Sequence, residues 1–542
     1  MTSTGTTAPG VRWPQTMAPV TALCLAMAFV LTRFISPNFL DNEAAYSIGP
    51  LMVAHPGFLG SQPLLPEMAR ISIVYNVLLS PLFWALGAFW GSIVCRVLIL
   101  AFQVWALSRL ARALGLAPWS LLVALALWLG TEQSLVAGEL VLAGAATKPI
   151  AWGFVFLAGE ALARQDWRRL PVWAGLATCF HVLVGGWTTL GLLVVLLLLR
   201  RDALGWRGFL RFLVITGLLA LPAVLPGLLT LKAGDPGVAR EAARISVLFA
   251  NPFHQDPAFF LSPMEGVKVI VVAVGAILLW RLLAAEPVRQ LVPGLLGALG
   301  AFFIVGLIAR AAQAFWILQY YPFRVADAMF PLFFWLGVAL AFQRWYERRP
   351  RLLRFVVIPV VIGTAGWLID QAKPSPRYDG VGGFAKAMLK TEPRLTGYWI
   401  RTQGEHWLAH FQGKRSAFQR LEDWARLNTP PDAVFITPPW IIEWPIVSER
   451  ATWISFKVIA PGPSLLEWKR RFEALHGGPY SRVGFGILQE LRGTYPLLTA
   501  EWARGLTRIG PAHYLIAFQD VPGLTLLHRE KGYRLYSLQE RP

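Results

Sequence analysis

Eleven apolar runs, at residues 17–35, 71–90, 92–109, 118–130, 147–163, 171–199, 208–231, 266–284, 291–309, 325–343 and 352–369, limit what this chain can become. A hydrocarbon layer about 30 Å thick takes about 20 residues of helix to cross, and most of the runs approach that length. Inside such a layer every backbone N–H and C=O has to be satisfied within the segment, so the runs predict helices. The run at 171–199 is too long for one span and carries Gly185 and Gly186 near its middle, which predicts two short helices with a turn at the glycines. Composition rules out a soluble fold. Of 542 residues 55% are hydrophobic and 15% charged, which leaves too little polar surface to cover a core.

Basic residues set the sides of the membrane. Arg109 and Arg112 end one run, and Arg164, Arg168 and Arg169 separate two others. Further groups are Arg200, Arg201 and Arg207, then Arg281 and Arg289, then Arg344, Arg348, Arg349, Arg351 and Arg354. Placing all of them on the cytoplasmic side gives a consistent alternation from residue 110 to residue 370. Counting 71–90 as a full span would put Arg109 and Arg112 outside, and the simplest reading is that this run, which contains Pro81, is a helix lying in or dipping into the outer interface. About eleven spans result, with the N-terminus inside and the C-terminus outside. The polar tail Met1–Thr16 precedes a first run with no small-x-small cleavage pattern, so an uncleaved signal anchor is expected.

The predicted organisation is a cytoplasmic tail at 1–16, a transmembrane domain at 17–370 with an outer loop at 36–91, and an outward domain at 371–542. That last part opens on the linker "QAKPSPRYDG" and continues with amphipathic helix patterns and β-rich runs such as "AVFIT". A smaller α/β domain, large enough for its own core, is expected there. The net charge of +19 belongs to lipid-facing loops. No zinc-finger or RNA-binding signature accompanies it, so the bilayer is an expected partner and nucleic acid is not. Cys24, Cys95 and Cys179 all lie in apolar runs and specify neither a disulfide framework nor a metal site.

Candidate chemistry collects on the predicted outer face. Asp41 and Glu43, in "LDNEAAY", follow the first run; they either mark where the chain meets water or supply a general base or a hard-cation site. In "QYYPFRVADAMFPL", Arg324 and Asp327 share a helix face, where Arg324 either pairs with Asp327 or binds a phosphate. Tyr320 and Tyr321 suit an interfacial aromatic belt, and Tyr320 joins the candidate substrate contacts. In the loop 232–260, Arg240 and Arg244 stand one helical turn apart as a potential anion site, and His254 lies between two prolines. His181 is an intramembrane histidine, open to a functional or a packing role. In the outward domain Arg450, Lys457, Glu467 and Arg471 form either an acceptor-binding face or an ordinary charged surface.

The signal anchor, the outward "DNEAAY", the step "HPGF" with His55 and the interfacial helix together resemble the multi-span GT-C glycosyltransferases, such as protein O-mannosyltransferases and aminoarabinose transferases. The run "LSRLARALGLAPWSLLVALALWLG" resembles the turn between their early spans. The resemblance implies a hexosyl or pentosyl transfer from a polyprenyl-phosphate-linked donor to an envelope glycan, lipid or protein. It implies Asp41 and Glu43 as the catalytic carboxylates; the residues expected to bind substrate are Arg324, His254, Arg240, Arg244, His55 and Tyr320. No cofactor is certain; a Mg2+ or Mn2+ ion, if the reaction uses one, would be held by Asp41 and Glu43. Two departures stand: Asn42 separates the acids, and a Trp-Trp-Asp motif is absent. The alternatives are a transporter or flippase of an amphipathic solute, or a non-catalytic envelope assembly protein. The former lacks the repeated halves with matching broken helices. The anchor and the cysteine-free outer domain fit a bacterial inner membrane.

Overall fold

A computed structural model describes residues 19–34, 36, 38–39, 42–62, 72–131, 133–232, 235–348, 410–457 and 462–539. The expected tail 1–16, Asp41, the run 352–369 and the linker after it lie outside the described residues. The first part of the chain is helical: α1 (Pro19–Phe34), α2 (Glu43–Ala54), α3 (Ile73–Ala113), α4 (Pro118–Gly130), α5 (Thr147–Ala163) and α6 (Leu170–Phe180). It continues with α7 (Val182–Leu199), α8 (Arg201–Lys232), α9 (Pro236–Ile245), α10 (Pro263–Leu283), α11 (Val288–Ala311) and α12 (Arg324–Arg348). Among the described residues six helices are long and apolar enough to cross a membrane. With the C-terminal sheet domain below, the protein is a mainly α, multi-pass membrane protein with a smaller α/β domain.

One continuous core joins these helices through large rings and aliphatic side chains, among them Trp128, Trp152, Phe156, Leu192, Trp280, Leu296 and Phe333. Trp280 on α10 donates its ring N–H to the Phe333 carbonyl of α12 (2.8 Å). This satisfies a polar atom that the apolar interior cannot. In α3 the backbone at Gly87 leaves the helical region (φ 69°, ψ −179°), so the 41-residue element is two helices meeting at an angle. The run at 171–199 breaks at His181, four residues before the glycines expected to carry the turn. Gly185 serves a different purpose: a Cβ there would collide with the Thr178 backbone, so the glycine lets α7 lie against the end of α6.

The C-terminal domain orders its strands β2 (Ala451–Thr452), β1 (Val434–Ile436), β3 (Tyr514–Ala517), β5 (Tyr533–Ser537), β4 (Thr525–Glu530). β1 runs parallel to both of its neighbours, and β3, β5 and β4 pair antiparallel. Successive β1 side chains serve opposite faces, as the pleat requires. Phe435 packs with Phe418, Leu421 and Ala425 of α13 (Ala417–Asn428) and with Trp444 of α14 (Trp444–Val447). Val434 and Ile436 face α15 (Ser464–His476), α16 (Gly486–Thr494) and α17 (Ala500–Thr507) through Trp468, Phe472, Leu491 and Ala503.

This domain sits on one end of the helical bundle. The Gln62 side chain acts as an extra strand residue on the edge of β2. Its amide donates to the Thr452 carbonyl (2.9 Å) and its oxygen accepts the Thr452 N–H (2.8 Å). Ile446 of α14 joins Ala44, Ile48 and Leu51 of α2. Ile245 and Ala250, at and just past the end of α9, enter the core around Trp468, and Gly484 donates its N–H to the Phe249 carbonyl (2.8 Å).

Candidate functional site

Between α4 and α5 the chain reads "TEQSLVAGELVLAGAA", too polar for a span and too apolar for a solvent loop. Residues 133–146 form neither helix nor strand, and most are buried. Irregular buried backbone requires partners from outside the segment. Asp327 Oδ1 accepts the N–H groups of Leu135, Val136 and Ala137 (3.1, 2.8 and 3.1 Å). Gln133 Oε1 accepts those of Val141 and Leu142 (3.0 and 2.6 Å), and Gln103 donates to the Val141 carbonyl (2.7 Å). Lys268 donates to the Leu135 carbonyl (2.7 Å), His254 Nδ1 donates to the Ala137 carbonyl, and Glu43 Oε1 accepts the Ala145 N–H (3.0 Å).

What this scaffold holds is Glu139, which is 1% exposed. Its Oε2 faces Lys148 Nζ (3.3 Å) and Arg324 Nε (3.1 Å), and its Oε1 accepts the Trp152 ring N–H (3.1 Å). The Arg324 guanidinium also lies 3.9 Å from the centre of the Tyr321 ring. One carboxylate thus faces two cations, Arg324 buried and Lys148 partly buried. Neither cation makes another hydrogen bond to the described residues, so donors remain for an anion. Of the two readings of Arg324, the pairing with Asp327 does not form. Their shared helix face is divided, with Arg324 turned to Glu139 and Asp327 given to the loop amides.

Two histidines flank the cluster. Burial, reinforced by the charge of Arg324, pushes the His254 imidazole well below its ordinary range, so it is neutral near pH 7. With its Nδ1 proton on Ala137, His254 carries its lone pair on Nε2. His181 has the opposite arrangement: Nδ1 accepts the Val184 N–H (3.2 Å) and caps α7, which leaves the proton on Nε2 in the neutral ring.

Asp41 itself lies outside the described residues; the chain on either side of it does not. Arg96 of α3 is buried and donates to Glu43 from Nε (2.9 Å to Oε1) and Nη2. It also donates to the carbonyls of Phe34 (3.1 Å), Ser36 (2.8 Å) and Asn38 (2.8 Å). One guanidinium therefore fastens the segment leaving α1 to the start of α2. Both Glu43 oxygens are engaged, by Arg96 and by the Ala145 amide. A carboxylate already neutralised by a guanidinium is a poor cation ligand, so Glu43 does not fit the metal-binding role.

The remaining expected residues are dispersed. Arg240 and Arg244 are exposed on α9; Arg244 pairs with Glu241 (3.1 Å), and Arg240 donates to the Pro236 carbonyl (3.3 Å). His55 is exposed at the end of α2. Tyr320 is partly exposed and its carbonyl accepts the Trp187 ring N–H (2.6 Å), while its neighbour Tyr321 is the ring beneath Arg324. Glu139 and Lys148 escaped sequence reasoning. The available signal was an acid and a base nine residues apart inside otherwise apolar chain, where ionisable groups are functional suspects.

A family model described as a domain of unknown function (DUF6798) matches residues 416–475, from α13 to α15. No curated protein matches the chain. Among solved structures the chain is similar to the crystal structure of ArnT from Cupriavidus metallidurans bound to undecaprenyl phosphate. The identity is 11%, over 96% of this chain and 98% of that one, with a TM-score of 0.48.

Proposed function

We propose that this chain is a membrane glycosyltransferase of a bacterial inner membrane. It takes a sugar from a polyprenyl-phosphate-linked donor and transfers it to an envelope glycan, lipid or protein on the face that bears the C-terminal domain. The observation that carries this reading is the buried Arg324–Glu139–Lys148 cluster, whose remaining donors suit a phosphate. The loop presenting it is also hydrogen-bonded to Glu43, two residues from Asp41. In this scheme Asp41 accepts the proton of an acceptor hydroxyl or amine as that atom attacks the anomeric carbon. The bond from that carbon to the phosphate oxygen breaks and polyprenyl phosphate leaves with the electron pair. Arg324 and Lys148 stabilise the charge growing on its oxygens, and Glu139 holds both cations in place beforehand.

The test uses the full chain in nanodiscs and in cells. Arg324→Ala is expected to weaken binding of a polyprenyl monophosphate by about tenfold or more, the worth of a charge-assisted hydrogen bond. Asp41→Asn is expected to leave that binding intact while reproducing the envelope-glycan change of a deletion strain. An Asp41→Asn strain with wild-type glycans, set against an altered deletion strain, removes the catalytic role.

A further inference from the structure

We propose that His254 is a positioning residue of the phosphate site: its ring sets the loop that presents Glu139 and packs beside the tyrosine beneath Arg324. The inference rests on reading the Glu139 cluster as a phosphate site.

In the sequence "FANPFHQDPAFF" the histidine stands between Pro252 and Pro257. Its neighbours fix this short stretch from several sides. Gln255 accepts the Ser246 hydroxyl (3.0 Å) and donates to the Gln319 carbonyl (3.3 Å), and Asp256 accepts the Arg310 guanidinium (2.6 Å). Phe253 packs on Phe485 of the C-terminal domain, with 4.5 Å between ring centres. An imidazole carried on backbone held in this way is a fixed point to which the loop conforms.

The ring meets both halves of the cluster. On one side its Nδ1 proton goes to the Ala137 carbonyl, two residues ahead of Glu139. Gly138, between them, adopts φ +67°, and a Cβ there would stand 3.3 Å from the imidazole Cε1. Glycine meets both conditions without strain. On the other side the centre of the imidazole lies 6.1 Å from that of the Tyr321 ring, within the range of aromatic pairs. The Arg324 guanidinium lies 3.9 Å from the centre of that same tyrosine ring. His254 thus acts on the spacing of Glu139 and Arg324 through the groups next to each. That spacing matters because a guanidinium stabilises a growing phosphate charge best when it is held in place beforehand.

The experiment uses the full chain in phosphatidylcholine nanodiscs, titrated with inorganic phosphate and with farnesyl phosphate, and follows hydrogen exchange over residues 135–142. An asparagine amide reaches the position of Nδ1, and a glutamine amide reaches that of Nε2. His254→Ala and His254→Gln are therefore expected to weaken both probes by about tenfold, the worth of one hydrogen bond, and to speed exchange in the loop. His254→Asn should stay within about threefold of wild type and keep the loop protected. Wild-type affinity and exchange in His254→Ala overturn the proposal. Equal losses in all three variants overturn it too, because the bond to Ala137 is then not what matters. So does affinity kept by His254→Gln and lost in His254→Asn, which makes Nε2 a direct ligand contact. If wild type binds inorganic phosphate but gains nothing from the farnesyl chain, the lipid-donor reading falls and His254 is still judged on the phosphate arm. If wild type binds neither probe, the phosphate reading falls. Faster exchange in His254→Ala, reversed in His254→Asn, then still upholds the positioning of the Glu139 loop, and unchanged exchange ends that as well.

Discussion

Glu422 is fully buried on α13 among Phe418, Leu421, Phe435 and Trp444, and neither carboxylate oxygen meets a hydrogen-bond partner among the described residues. Burial raises its pKa well above the usual 4.5; repulsion from Glu443 and Asp423 adds to this, and Arg415 opposes it. A raised carboxyl pKa means the folded state binds the proton more tightly than the unfolded chain. The stabilisation is complete below the ordinary carboxyl range and is lost as pH rises toward the folded value. Between about pH 5 and 8, the unfolding temperature of the wild-type protein should therefore fall more steeply than that of Glu422→Gln, with the variant the more stable at the alkaline end. Parallel curves for the two would remove Glu422 as the cause. Glu139 is likewise a buried acid, with no other charged residue from 133 to 147, whereas Glu422 stands beside Asp423 in an amphipathic helix. One meets Lys148, Arg324 and Trp152 and the other meets nothing polar, a difference made by residues remote in the chain. Arg324 was legible because its flanking tyrosines and proline mark the start of a span; its partner, 185 positions upstream by the numbering, was not.

At the scale of elements, the apolar runs located most helices, because hydrophobic length is a local property. They failed where a feature depends on contact. Gly185 and Gly186 read as a turn, and a sequence does not separate glycine used for bending from glycine used for close approach. The structure does. A Cβ at Gly185 would collide with the backbone of Ala177 and Thr178 in α6, while nothing lies within 4 Å of one at Gly186. Gly185→Ala should lower stability by about 1–3 kcal/mol, the usual range for overpacking. Gly186→Ala should be neutral or stabilising by up to about 1 kcal/mol, from helix propensity alone. Thermal unfolding of the two variants in detergent distinguishes these outcomes, and equal effects would mean the helices are not in this contact. The segment 133–146 was illegible for a related reason: its conformation is written in Asp327, Gln103, Lys268 and His254, none of which belongs to it.

For the whole molecule the question is how firmly the C-terminal domain is seated on the helical bundle. Part of the seat is apolar, from Ile446 against α2 and from Ile245 and Ala250 against Trp468. Those contacts set an area, and area alone does not define an orientation. The Gln62 amide does, since it matches both the N–H and the C=O of Thr452 and fits only one register along the edge of β2. Gln62→Ala leaves both backbone groups of Thr452 without these partners in a buried place, at a cost of about 1–3 kcal/mol for each unsatisfied group. Hydrogen exchange of the full chain should rise at residues 451–457 in this variant while the strands β3 and β5 keep their protection. Unchanged exchange at 451–457 would show that the apolar contacts hold the domain by themselves, and the amide would then be a consequence of docking, not a determinant of it.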